Sequence, residues 1–212
     1  MDTFDRLAIK AEAKNVFYRN RSACICMILL IVAAELILTS ISMGFLTMVL
    51  VGVLLVTGAF FYLSCWRDTP VAVSAAVSET FDNGFLRKMG GMLWMELQVF
   101  LWSLLFIIPG IIKNYSFALT PYILADCPNV PAMEASRLSE RMMRGHRWNY
   151  FVMELSFLGW MLLSALTFGI LYVVYAGPYM ELTKAGIYNE LKQLALDNGV
   201  VSQAELDGEI LV

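Results

Sequence analysis

Apolar residues gather along the chain into six runs, 23–43, 45–65, 91–108, 111–125, 150–168 and 170–186, with polar or amphipathic segments between them. A helix rising about 1.5 Å per residue needs roughly 20 residues to cross about 30 Å of hydrocarbon. The runs therefore predict membrane-spanning helices. They pair into three hairpins, about 23–65, 91–125 and 150–186, with turns expected at Gly44, Pro109-Gly110 and Gly169. The run from Trp94 to Asp126 is too long for one crossing and is broken at Pro109 and Gly110. Its second half is short, so this hairpin either crosses twice or is re-entrant. Broken backbone is tolerated in lipid only where protein or water covers it. The sixth run is interrupted again at Gly177-Pro178.

The segments between the hairpins read as surface helices. In 1–22, Asp2 or Thr3 can cap a helix in which Phe4, Leu7, Ala8 and Ala11 form an apolar stripe. Such a helix lies in the headgroup plane or packs on the protein. Thr69-Pro70 opens a helix over about 70–83 that Asn83-Gly84 closes. Asn129 and Pro131 begin another, about 131–145, with Ala135, Leu138 and Met142 on its apolar side and Arg137, Arg141 and Arg144 on the other; Glu140 and Arg144 are spaced for an ion pair. Gly145 ends it. Residues 195–212 read as an acidic, loose tail after a single transmembrane domain over 23–194.

Composition agrees with this pattern. The 212 residues are 59% hydrophobic and 16% charged, against about 45–50% and 25% for a soluble domain. A net charge of −3 argues against nucleic acid as a partner. Segments 1–22, 66–90, 126–149 and 184–212 carry 14 of the 15 Lys and Arg, leaving only Lys113 on the other face. The positive-inside rule then puts both termini and both long connections in the cytoplasm. Cys24, Cys26, Cys65 and Cys127 fall near that face and form no C-x-x-C pair, which suits reduced thiols; no metal site and no cofactor are expected.

A repeat is visible. Met95-Glu96-Leu97 precedes Trp102 and Pro121-Tyr122 as Met153-Glu154-Leu155 precedes Trp160 and Pro178-Tyr179, with Glu-to-Trp spacings of six residues in both. The second and third hairpins read as copies, with the first a fainter one marked by Glu35-Leu36. The run 108–126 (IPGIIKNYSFALTPYILAD), the run 134–148 (EASRLSERMMRGHRW), and LSFLGWMLL and GPYMELTKAGIYNELK further on resemble the bacterial integral-membrane family named domain of unknown function 975, from the N-terminal helix to about Leu194. The resemblance implies a multi-span bacterial membrane protein and brings no activity with it.

Ionisable residues inside a span are functional candidates by default. Glu35 lies near mid-span and reads as a proton- or cation-contacting carboxylate, or as a protonated side chain bonded to Thr or Ser. Glu96 and Glu154 sit a turn inside the cytoplasmic edge, where pairing with Arg87, Lys88 or Arg147 is expected. Lys113 is expected as an anchor at the outer turn; in a re-entrant hairpin it and Tyr115 would face the bundle interior. Arg141, Arg144, His146 and Arg147 form a basic cluster suited to anionic headgroups or to generic inside charge. No hydrolase, zincin, phosphate-loop or dinucleotide motif is present.

The expectation is an all-α polytopic bundle of about six transmembrane helices in three hairpins, with interfacial helices on the cytoplasmic side of a bacterial inner membrane. It is read as non-enzymatic, acting through membrane lipids, a membrane protein partner or a homo-oligomer. The alternative is a small transporter or lipid-translocating protein that works through Glu35 and breaks at Pro109, Gly110 and Pro178.

Overall fold

The computed structural model describes residues 4–41, 44–105 and 107–209, and over these the chain is helical with no strand. Helix α1 (Arg6–Arg19) starts at Asp5, whose carboxylate accepts the Leu7 and Ala8 amides at 2.9 and 3.3 Å. The expected caps Asp2 and Thr3 lie outside the described residues. The stripe is also displaced: Ile9, Ala13, Val16 and Phe17 are buried, whereas Leu7 is 80% exposed. Positions 9, 13, 16 and 17 make one continuous helical face, and that face packs on α11 (Gly177–Asp197). The first helix is thus packed on the protein, the second of the two readings above.

Helices α2 (Arg21–Ile41) and α3 (Gly44–Trp66) form the first hairpin, with Gly44 opening α3 rather than making the turn; Met43 lies outside the described residues. The Thr69-Pro70 pair ends α3 instead of starting the next helix. Asp68 adopts φ 56° and the Thr69 amide reaches back to the Ser64 carbonyl at 3.0 Å, a closure that supplies a partner for a terminal carbonyl. Helix α4 (Val73–Asp82) begins only after extended Ala72 and is closed by Asn83 and by Gly84 at φ 71°.

Helix α5 (Phe85–Leu105) is followed by α6 (Ile107–Ser116) and α7 (Thr120–Asp126). Pro109 and Gly110, where the break was expected, lie inside α6; Phe106, between the two helices, is outside the described residues. Pro109 falls in the first turn of α6, where its missing amide hydrogen costs nothing. Gly110 has another use: a Cβ there would sit 2.2 Å from Ser103 Oγ, so glycine lets α6 close against α5. A second, unexpected break separates α6 from α7. Ser139 of α8 (Ala132–Met142) covers it, accepting the Leu119 amide at 3.2 Å and donating to the Ser116 carbonyl at 2.9 Å. Backbone freed by the break is thereby satisfied by protein.

The last hairpin is α9 (Arg147–Leu155), α10 (Leu158–Leu166), a five-residue π-helical turn at Tyr172–Ala176, and α11. The interruption expected at Gly177-Pro178 takes the form of that turn. Pro178 has no amide to donate, and the Gly177 amide bonds the Tyr172 carbonyl five residues back. The run 150–168 is itself divided at Ser156-Phe157, and Gly169 turns at φ 81° as expected. The tail is not loose over its described part. Ser202 and Glu205 form a capping box on α12 (Gln203–Leu206), Val201 and Leu206 are buried, and Arg141 pairs with Glu205 at 2.5 Å.

Helix α3 is central, packed against α2, α5, α7 and α11. Large apolar side chains stand exposed along the helices, among them Leu36 and Ile37 on α2, Phe100 and Leu104 on α5, and Leu162 and Leu166 on α10. Two stretches, Arg21–Ser40 and Arg147–Leu166, are long and apolar enough to cross a membrane by length and composition, and Leu50–Trp66 is a shorter apolar helix.

Candidate functional site

Every fourth residue of α7 and every third or fourth of α11 is polar on one side. Tyr122 and Asp126 face Glu181, Lys184, Tyr188 and Lys192. Helical spacing lines these up, and packing of α7 and α11 around α3 closes them into a seam inside an otherwise apolar bundle.

At one end of the seam stands Asp126, with its side chain 9% exposed. Arg67, just past α3, holds both carboxylate oxygens, one of them at 3.0 Å; Lys192 donates at 2.6 Å and the Tyr188 hydroxyl at 2.9 Å. Burial opposes ionisation of Asp126, but the hydrogen bonds from Arg67 and Lys192 outweigh it and hold its pKa down at about 2. Nearby, Arg87 caps the loop after α7 by donating to the carbonyls of Leu124, Val130 and Cys127 at 2.7, 2.8 and 3.2 Å. Buried Lys88 donates to the Glu79 carbonyl at the end of α4. Arg87 and Lys88 are thus used as helix terminators, not as partners of Glu96.

The rings of Tyr188 and Tyr122 stack at 5.6 Å and carry the seam inward. There the Tyr122 hydroxyl lies 3.4 Å from Glu181 Oε2, and Lys184 Nζ donates to Glu181 Oε1 at 3.0 Å. These groups line a cavity of about 210 Å³ that also takes in Tyr115, Tyr150 and Glu154. Tyr115 meets Tyr150 and Phe151 edge-on, with ring centres 6.1 and 5.7 Å apart.

Of the residues singled out by sequence, Glu154 and Tyr115 meet in this cavity. Glu154 does not pair with Arg147, which turns to Glu140 at 3.7 Å. Glu96 and Glu35 are half-buried elsewhere and make no ion pair among the described residues. Glu35 stands near Tyr172 of the π-helical turn; among the described residues no Thr or Ser hydroxyl is given to its carboxylate, and Thr39 bonds its backbone carbonyl. Lys113 bonds Glu140 at 2.7 Å and lies over the rings of Trp102 and Phe117. Glu140 is therefore spoken for, and the expected Glu140–Arg144 pair is not formed.

Arg141, Arg144 and His146 do share one cavity, of about 190 Å³. Arg141 is committed to Glu205 and the Val200 carbonyl, and His146 packs against Phe4, where burial lowers its pKa. Arg144 alone of the cluster is exposed with no ion pair among the described residues. Asp126, Glu181 and Lys184 are not among the residues singled out by sequence, although the i,i+3 spacing of Glu181 and Lys184 is that of the pair they form. The signal that finds them is the pair of strings P-Y-x-x-x-D at 121–126 and P-Y-x-E-x-x-K-x-x-x-Y at 178–188.

Residues 104–195 match the family described as Protein of unknown function (DUF975). This bears out the family resemblance over that segment, though not its expected reach back to the N-terminal helix, and the segment contains both α7 and most of α11, the two sides of the seam. No curated protein and no solved structure matches the chain.

Proposed function

We propose that this chain is a non-enzymatic integral protein of a bacterial cytoplasmic membrane, working through lipids and other membrane components. The observation that carries the reading is the placement of exposed apolar side chains. Leu36, Ile37, Phe100, Leu104, Leu162 and Leu166 all stand exposed along the helices, and an apolar surface of that extent needs lipid or protein to cover it. The charged pairs and helix caps suit an aqueous face rich in Lys and Arg.

In this reading the second hairpin is re-entrant. Lys113 was placed on the outer face and Glu140 on the inner, yet they pair. Helix α6, ten residues long, covers about 15 Å, half the hydrocarbon thickness. It descends from one side and returns to it.

The test is membrane association after an alkaline carbonate wash. Retention in the pellet supports an integral protein; release into the supernatant sinks the reading. A transporter-like role is the second reading, favoured by the internal cavity and the π-helical turn beside it in sequence. Its working carboxylate is then Glu154 rather than Glu35, because Glu154 shares the cavity with Lys184 and Glu181.

A further inference from the structure

We propose that the cavity between α6, α7, α9 and α11 binds an organic ammonium group, either of a small free amine or of an aminophospholipid headgroup, with Glu154 as its counter-ion and the Tyr115 and Tyr150 rings as its walls. The lipid source rests on the membrane reading above; the free amine does not.

The charges in the cavity do not balance. Lys184 Nζ is 3.0 Å from Glu181 Oε1, and the other oxygen of Glu181 has the Tyr122 hydroxyl at 3.4 Å. Lys184 also stands within electrostatic reach of Glu154, but its hydrogen bond goes to Glu181. Glu154 has the Tyr115 hydroxyl beside it and makes no ion pair with any cation among the described residues. Two carboxylates and one ammonium leave one negative charge without a direct partner. Glu154 is half-buried, and a partly desolvated carboxylate gains from a positive group that meets it.

The walls select among cations. Tyr115, Tyr122 and Tyr150 line the space, and the faces of aromatic rings attract ammonium groups, most strongly where water is excluded. A divalent metal ion would need several oxygen or nitrogen ligands at short range, and no grouping of three or more metal-ligating side chains occurs among the described residues. Phosphate and carboxylate ligands are disfavoured by the unpaired Glu154. The volume of about 210 Å³ holds a headgroup-sized amine and excludes a large drug-like cation.

The test uses the full chain purified in a mild non-ionic detergent. Ethanolamine is titrated against the protein by calorimetry, and phosphatidylethanolamine or phosphatidylglycerol vesicles are offered in parallel, with retained lipid read by native mass spectrometry. Binding of ethanolamine, or selective retention of phosphatidylethanolamine, supports the proposal, and the two arms separate the free amine from the lipid. In Glu154→Gln that binding should fall by about tenfold or more with the unfolding temperature held within a few degrees. Tyr150→Leu, which removes a wall and keeps the carboxylate, should weaken the same binding. Should Glu154→Gln fail to fold, Tyr150→Leu alone decides. No binding of either probe by the wild-type chain, or unchanged binding in both variants, overturns the proposal. Release of the protein by carbonate overturns the membrane reading while leaving the ethanolamine titration fully interpretable.

Discussion

Tyr188 donates its hydroxyl to Asp126 Oδ2 at 2.9 Å while its ring stacks on Tyr122 four residues before that aspartate. One side chain of α11 thus engages α7 twice, once through its polar tip and once through its face. Such double engagement fixes the register of the two helices. It also places Asp126 where Arg67 and Lys192 reach it together.

Asp126→Asn removes the shared acceptor and leaves Arg67 and Lys192 facing a neutral amide. Breaking a buried pair by deleting one partner costs about 3 kcal/mol or more. Thermal unfolding in detergent should show the midpoint drop by several degrees. A midpoint equal to that of the wild type would mean that the cluster is held by water rather than by charge.

Acid should weaken the protein through the same residue. The folded-state pKa of Asp126, about 2, lies below the about 3.9 of an unfolded aspartate. Glu205, depressed to about 2 by Arg141 and the Ser202 amide, behaves in the same way. Depressed carboxylates stabilise the fold above their unfolded pKa and lose that contribution as pH falls through about 4 toward 2. The unfolding midpoint should therefore fall most steeply as pH drops from about 4 toward about 2, and Asp126→Asn should flatten the slope. An equally steep slope in the variant would assign acid sensitivity elsewhere.

Gly186 sits on α11 where a Cβ would meet the Trp66 ring at 2.5–2.8 Å. Replacing a helical glycine by alanine ordinarily gains about 1 kcal/mol. Here Gly186→Ala should lose about 1–3 kcal/mol, because an indole packed between helices has little room to retreat. Pairing it with Trp66→Leu should recover part of that loss. A stabilised Gly186→Ala would show that the ring moves freely.

Cysteines at 113 and 140, in a chain with its four native cysteines replaced by serine, should cross-link readily. Both should also label from the same side of sealed membrane vesicles. Labelling of position 113 from the opposite side would restore a full double crossing by the second hairpin.

Glu35→Gln should unfold at the same temperature as the wild type or somewhat above it. The Glu35 side chain makes no ion pair among the described residues, so the amide gives up none of those and is cheaper to keep out of water. A marked loss of stability would reveal a contact made only in lipid.

The two surface helices, the glycine turns at 84, 145 and 169, and the buried stripe of α8 were legible in the residue pattern, because periodicity and positive-φ glycine act locally. Pro109 misled for a related reason: a proline reads as a break wherever it stands, and only the chain around it tells whether it opens a helix or interrupts one. The face of α1 was misassigned because Leu7 is apolar and the packing of α1 on α11 chose Ile9 instead. The seam was invisible for a different reason. Asp126 is alone in sequence, and its partners Arg67, Tyr188 and Lys192 come from 59, 62 and 66 residues away. Pairings of that range are decided by helix packing.

Arg141 in α8 is satisfied by Glu205, 64 residues later, and Val201 and Leu206 are buried in the same body. During synthesis all three hairpins are therefore complete before this closure can form. Until residues 200–206 leave the ribosome, Arg141 stays hydrated and the groove they fill stays open to chaperones and proteases. A chain cut before that point would leave Arg141 without its carboxylate and the groove uncovered, however well its earlier helices had packed.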